Sequence, residues 1–138
     1  MPPKSRAKKK LSPGQRTDLD VQIGFMEALV RRDPHYIEAL QILGDDYTLR
    51  GKPKAGLRID ERLARLRPED PMVQYNLACS YTLTGSHDRA VAALEKAISL
   101  GYRDFKWLAR DPDLSSLRQH PLYKIIRAKV RQMKSVQT

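Results

Sequence analysis

From Thr17 onward, apolar residues recur at helical spacing. Ile23, Met26, Leu29 and Val30 mark one face of a first helix, with Phe25 alongside. Asp18 or Asp20 can cap its start, and "RRDP" places bases in the last turn with a proline just beyond. Leu40, Leu43, Gly44 and Tyr47 repeat the spacing in a helix from Tyr36 to Leu49, which Gly51 ends. Pro53 opens the next helix, carried by Leu57, Ile59, Leu63 and Leu66 as far as Pro68. Asp70-Pro71 is a cap followed by a first-turn proline. Tyr75, Leu77, Ala78 and Tyr81 then lead to Gly85. Ala90, Val91, Leu94, Ala97 and Ile98 form a further stripe that stops at Gly101. No segment alternates with a period of two, so the chain reads as all-α.

The stripes carry a longer period. "YTLRG" begins at Tyr47 and "YTLTG" at Tyr81, 34 residues later. The same shift lays Leu43 on Leu77, Gly44 on Ala78, Gly51 on Gly85 and Leu66 on Leu100, and it carries Pro68 back to Pro34. Helix pairs at this period cannot bury their apolar stripes singly; stacking makes the core continuous. Small residues at Gly44, Ala78 and Ala90 allow close approach, while Tyr47, Tyr81 and Leu94 fill the spaces between helices.

With "LGDDYTLRG…LARLRP" and "YNLACSYTLTG…AVAALEKAISL" in this register, the chain resembles the tetratricopeptide-repeat family. The resemblance implies a right-handed α-solenoid of antiparallel helix pairs. Its parts are a half repeat at 17–36 and full repeats at 37–70 and 71–104. Leu40 and Gln74 depart from the family's large aromatic, Gly56 from its alanine, Asp60 from a large apolar residue and Tyr102 from the closing proline. The second helix of the first repeat therefore reads as degenerate. The ending "DPDLSSLR", followed by a proline-started helix, resembles a recurrent terminus of bacterial members. It marks 105–134 as a C-terminal capping element. Two full repeats fall short of the three or so that usually make a stable stack, so this cap or a homodimer must supply the missing burial.

Composition narrows the picture. The chain has 138 residues, 41% of them hydrophobic, and a formal charge of +10. Residues 1–16 and 118–138 each contribute +6 with no acid, which leaves the body at −2. "MPPKSRAKKKLSPGQR" has no apolar periodicity and reads as a disordered basic arm over 1–16. No apolar run approaches the roughly 18 to 20 residues of a membrane span. Cys79 is the sole cysteine, which excludes an internal disulfide and fits a reducing, cytoplasmic setting. His35, His87 and His120 lie at the ends of different elements without a third ligand, so no metal and no cofactor is expected. Asp45-Asp46 and Glu69-Asp70 are adjacent only in sequence, and no glycine-rich phosphate loop occurs. An enzyme is not expected.

What remains is surface recognition. The family resemblance implies a concave groove lined by the first helix of each pair: Glu38, Gln41, Asp45, Thr48 and Leu49, then Met72, Tyr75, Cys79, Thr82 and Leu83. Of the clamp residues that family uses for C-terminal carboxylates, only Asn76 is matched, and Asp45 opposes such a ligand. A peptide or protein partner with an apolar anchor and a basic residue suits the groove better. An alternative rests on the basic ends. Lys4, Arg6, Lys8, Lys9 and Lys10 on the arm could neutralise phosphates of RNA, DNA or a ribosome. Lys124, Arg127, Arg131 and Lys134 on the last helix could do the same. On that helix Leu122, Ile125, Ile126, Val130 and Met133 read as the inner stripe, with the bases on the opposite face.

Overall fold

The computed structural model describes residues 10–137. Among them every regular element is helical: α1 (Pro13–Arg32), α2 (Ile37–Leu49), α3 (Pro53–Leu66), α4 (Pro71–Leu83), α5 (His87–Ser99), α6 (Phe105–Leu108), a 3-10 turn (Pro112–Leu114), α7 (Ser115–Arg118) and α8 (Tyr123–Gln137). Consecutive helices pack on one another from α1 to α5, the arrangement of an all-α solenoid, and α8 closes against α5.

The N-terminal boundary is a correction. The helix starts at Pro13, inside the stretch read as a disordered arm, and its cap is Ser12 rather than Asp18 or Asp20. Ser12 Oγ accepts from the Gln15 amide at 3.1 Å, while Gln15 Oε1 accepts from the Ser12 amide at 2.8 Å. This reciprocal box supplies partners to two amides that the helix leaves without any. Asp20 is used elsewhere. Its Oδ1 lies 2.7 Å from Arg50 Nε, tying α1 to the end of α2. The guanidinium holds the Asp20 carboxyl below its ordinary range. Arg50, the one residue at which the two pentapeptides differ, is thus engaged in an ion pair.

Two glycines explain the repeated pentapeptide. Gly51 (φ 82°) and Gly85 (φ 85°) adopt the left-handed conformation that ends a helix without Cβ strain. The next amide folds back in each case: Lys52 donates to the Tyr47 carbonyl at 2.8 Å and Ser86 to the Tyr81 carbonyl at 2.9 Å. The tyrosine side chains repeat as well. Tyr47 Oη donates to Glu27 at 2.5 Å, and Tyr81 Oη to Glu61 at 3.2 Å. The two bonds are offset by the period of the sequence. Burial, then the Glu27 carboxylate, push the Tyr47 hydroxyl up to about 12.

The degenerate positions of α3 have structural uses. Asp60 is buried, and its carboxylate accepts from Ser80 Oγ on α4 at 2.5 Å. Gly56 lies where α3 crosses α2. A Cβ there would meet Thr48 Oγ1 at 2.7 Å and the Gly44 carbonyl at 3.3 Å. Thr48 is short, buried and bonded to that same carbonyl at 3.1 Å, so it has little room to give. Gly56→Ala should therefore destabilise the chain by about 1–2 kcal/mol, because overpacking exceeds the gain in helix propensity. Urea unfolding of the two proteins measures the difference.

The core falls into two clusters. One joins Ile23 and Val30 of α1 to Leu40, Leu43, Ile59 and Leu63, with Val73 reaching in from α4. The other joins α4 and α5 to the C-terminal elements through Leu94, Ile98, Leu108, Leu114, Leu117 and Ile126. On α8 the inner stripe is Tyr123, Ile126, Val130 and Met133. Ile125, expected inside, is 37% exposed.

Candidate functional site

Helix α2 is buried on one side and open on the other. Ala39, Leu40, Leu43 and Gly44 face the core, while Glu38, Gln41, Ile42 and Asp45 are exposed. These four fall at i, i+3, i+4 and i+7 and so form one continuous stripe. It carries two acids and, in Ile42 (39% exposed), an apolar anchor. Ile42 was missed in the sequence, although it was an apolar residue standing outside the buried stripe. One further α2 residue assigned to the groove is a correction. Thr48 is buried at the α2–α3 crossing and bonded to Gly44.

Helix α4 is covered more completely. It packs against α3, α5, the 3-10 turn and α7. Of its expected groove residues, Met72 is exposed and Asn76 and Leu83 are half-buried. Tyr75, Cys79 and Thr82 are buried, and they are corrected from groove residues to packing residues. For Tyr75 and Cys79 the cause is the C-terminal element, which lies across the face of α4 that the family pattern would leave open. Tyr75 Oη donates to Asp111 Oδ2 at 2.5 Å, and its ring stacks on Tyr102 with centroids 4.3 Å apart. Cys79 Sγ is 3.8 Å from the same oxygen. The Thr82 hydroxyl donates to the Ala78 carbonyl at 2.8 Å within its own helix. Burial, reinforced by Cys79 and Asp111, raises the Tyr75 hydroxyl far above its ordinary range.

Asp111 is thus a clasp. Its Oδ1 accepts from the Asp113 amide at 2.9 Å, capping the 3-10 turn, while Oδ2 receives Tyr75. Cys79, Asp111 and Asp113 bring candidate ligand atoms within 4.8 Å of one another. Both oxygens of Asp111 are already engaged, so the group reads as a structural hydrogen-bond node. The histidines are also closer than their sequence positions indicate. His87 and His120 stack at 4.7 Å, with His87 Nε2 3.1 Å from Ser116 Oγ.

Lys4, Arg6, Lys8 and Lys9 lie outside the described residues, and Lys10 is exposed. Lys124, Arg127, Arg131 and Lys134 line α8 one position along from its inner stripe, not opposite it. Among the described residues no helix is long and apolar enough to cross a membrane.

No family model matches the chain. It is similar to several curated proteins. Over 96 residues, 67% of this chain, it is 32% identical to a chloroplastic protein of Arabidopsis thaliana. Over 76 residues, 55% of this chain, it is 37% identical to a peroxisomal targeting signal receptor of Candida albicans. Over 93 residues, 67% of this chain, it is 34% identical to the human PEX5-related protein. The chain spans 27%, 13% and 15% of those proteins' lengths, respectively. These likenesses accord with an all-helical, tetratricopeptide-like fold, and they give the polyanion reading no support.

Proposed function

We propose that the chain is a non-catalytic interaction module that binds a peptide or protein segment along the exposed face of α2 and the open part of α4. The observation that carries this reading is the stripe Glu38, Gln41, Ile42 and Asp45, left open by a helix whose other side is packed. On α4, Met72 is exposed and Asn76 half-buried, and both are offered as further contacts. The name of one group of similar proteins, peroxisomal targeting signal receptors, supports recognition of a peptide-like signal. The chemistry of the stripe suits a segment with a Lys or Arg beside an apolar side chain. Asp45 and the missing cationic clamp residues disfavour a bare C-terminal carboxylate.

Binding of a labelled Arg-Leu-containing peptide to the full chain, followed by anisotropy, tests the reading. Glu38→Lys with Asp45→Lys should weaken binding about tenfold or more, and Ile42→Ser should weaken it further. All three positions are exposed, so circular dichroism should be unchanged. Equal affinity for both proteins would remove the α2 face from consideration.

A further inference from the structure

At the opposite end of the stack from the α2 face, the surface is concave and basic. Helices α6, α7 and α8 enclose an open cavity of about 460 Å³, within the size range of ligand pockets. Its floor is apolar: Phe105, Leu108 and Tyr123 are buried, and Val130 is half-buried. Its rim holds Arg118, Arg127, Arg131 and Lys134, and no acid lines it. Among the described residues no carboxylate pairs with any of these four. The fold holds two of them with neutral groups. Arg118 Nη1 donates to the Leu108 carbonyl and Arg127 Nη2 to the Arg118 carbonyl, each at 3.1 Å. Those bonds orient the guanidinium groups without cancelling their charge. The arrangement matches a ligand bearing both carboxylates and an apolar group.

We propose that this cavity docks an acidic peptide segment of a partner protein, with Asp or Glu side chains on the arginines and one apolar side chain on the floor. Guanidinium forks bind carboxylates bidentately, and the apolar floor adds a term that a purely ionic ligand would leave unused. A nucleic acid fits less well. The two floor aromatics are buried, and Arg127 already covers the Tyr123 ring at 4.9 Å, so neither ring offers a face for base stacking.

The test uses the full chain and a labelled peptide in which Asp and Glu surround a Leu-Phe pair. The same peptide with Asn and Gln for its acids, and a single-stranded oligonucleotide of matched charge, complete the set. The acidic peptide should bind, and its affinity should fall about a hundredfold in Arg131→Glu with Lys134→Glu. The neutral peptide should not bind. Among the described residues neither the Arg131 nor the Lys134 side chain makes a hydrogen bond in the fold, so the circular dichroism of the variant should match the parent. Glu38→Lys with Asp45→Lys should leave this binding intact, which separates the cavity from the α2 face. Acidic-peptide affinity unchanged in the double variant would overturn the proposal, as would an oligonucleotide that binds as tightly as the peptide.

Discussion

Asp111→Ala should destabilise the folded chain by about 3 kcal/mol. The substitution removes the cap of the 3-10 turn and leaves the Tyr75 hydroxyl, buried at 1% exposure, without its acceptor. Leaving a buried donor unsatisfied costs more than the net value of the bond it made, so the effect should exceed that of a simple cap deletion. Asp111→Asn keeps an acceptor oxygen at only one of the two bonds and sets an amide donor at the other, and it should lose about half as much. Tyr75→Phe removes the donor together with the need for one, and it should be the mildest of the three. Urea unfolding monitored by Trp107, which lies on α6 four residues from the clasp, reads all of them on one scale. A loss of under about 1 kcal/mol in Asp111→Ala would mean that the C-terminal element holds to α4 by apolar contact alone.

Ile126→Asp should have a larger effect. Ile126 is fully buried between α8 and α5, within the cluster that includes Leu94, Ile98 and Leu117. A carboxylate there has no cation inside the cluster to pair with, and burying it costs several kcal/mol, on the order of total domain stability. The expected outcome is release of α8. Trypsin should then cut rapidly at Lys124, Arg127 and Lys129, which lie within a regular helix in the parent chain. Ile125→Asp is the matched control. That side chain is 37% exposed and should tolerate the charge with a change of about 0.5 kcal/mol or less.

The contrast between Ile125 and Ile126 shows what was legible in the sequence. Helices α2 to α5 could be placed because proline opens them or glycine ends them, and because one stripe repeats at a fixed shift. Those signals are local or periodic. The start of α1 was misplaced because Ser12 to Arg16 contains no apolar residue, although the Ser-x-x-Gln capping signature was visible. On α8 the apolar residues are too numerous for one stripe, and only packing against α5 selects Tyr123 and Ile126 over Ile125. The largest error concerned α4. Tyr75 and Cys79 meet Asp111 across 36 and 32 residues. Pairing at that separation has no trace in a helical period. Asp111 caps the 3-10 turn through one of its oxygens, and nothing local indicates the task of the other. Asp60 likewise looked like a defect in α3 until its partner Ser80 came into view.

The division of the core into two clusters has a mechanical consequence. The N-terminal cluster draws only Val73 from α4, and the C-terminal cluster reaches back across the seam through partly buried Leu57 and Ala64. Helices α1 to α3 are joined to the remainder through the α3–α4 packing, with Val73, Leu57 and Ala64 crossing between the clusters, together with the Asp60–Ser80 and Glu61–Tyr81 bonds. Nearest-neighbour stacks of this kind open in segments rather than all at once. The expected consequence is that the half bearing α2 opens separately from the half bearing α8, which amide hydrogen exchange would read as two protection classes.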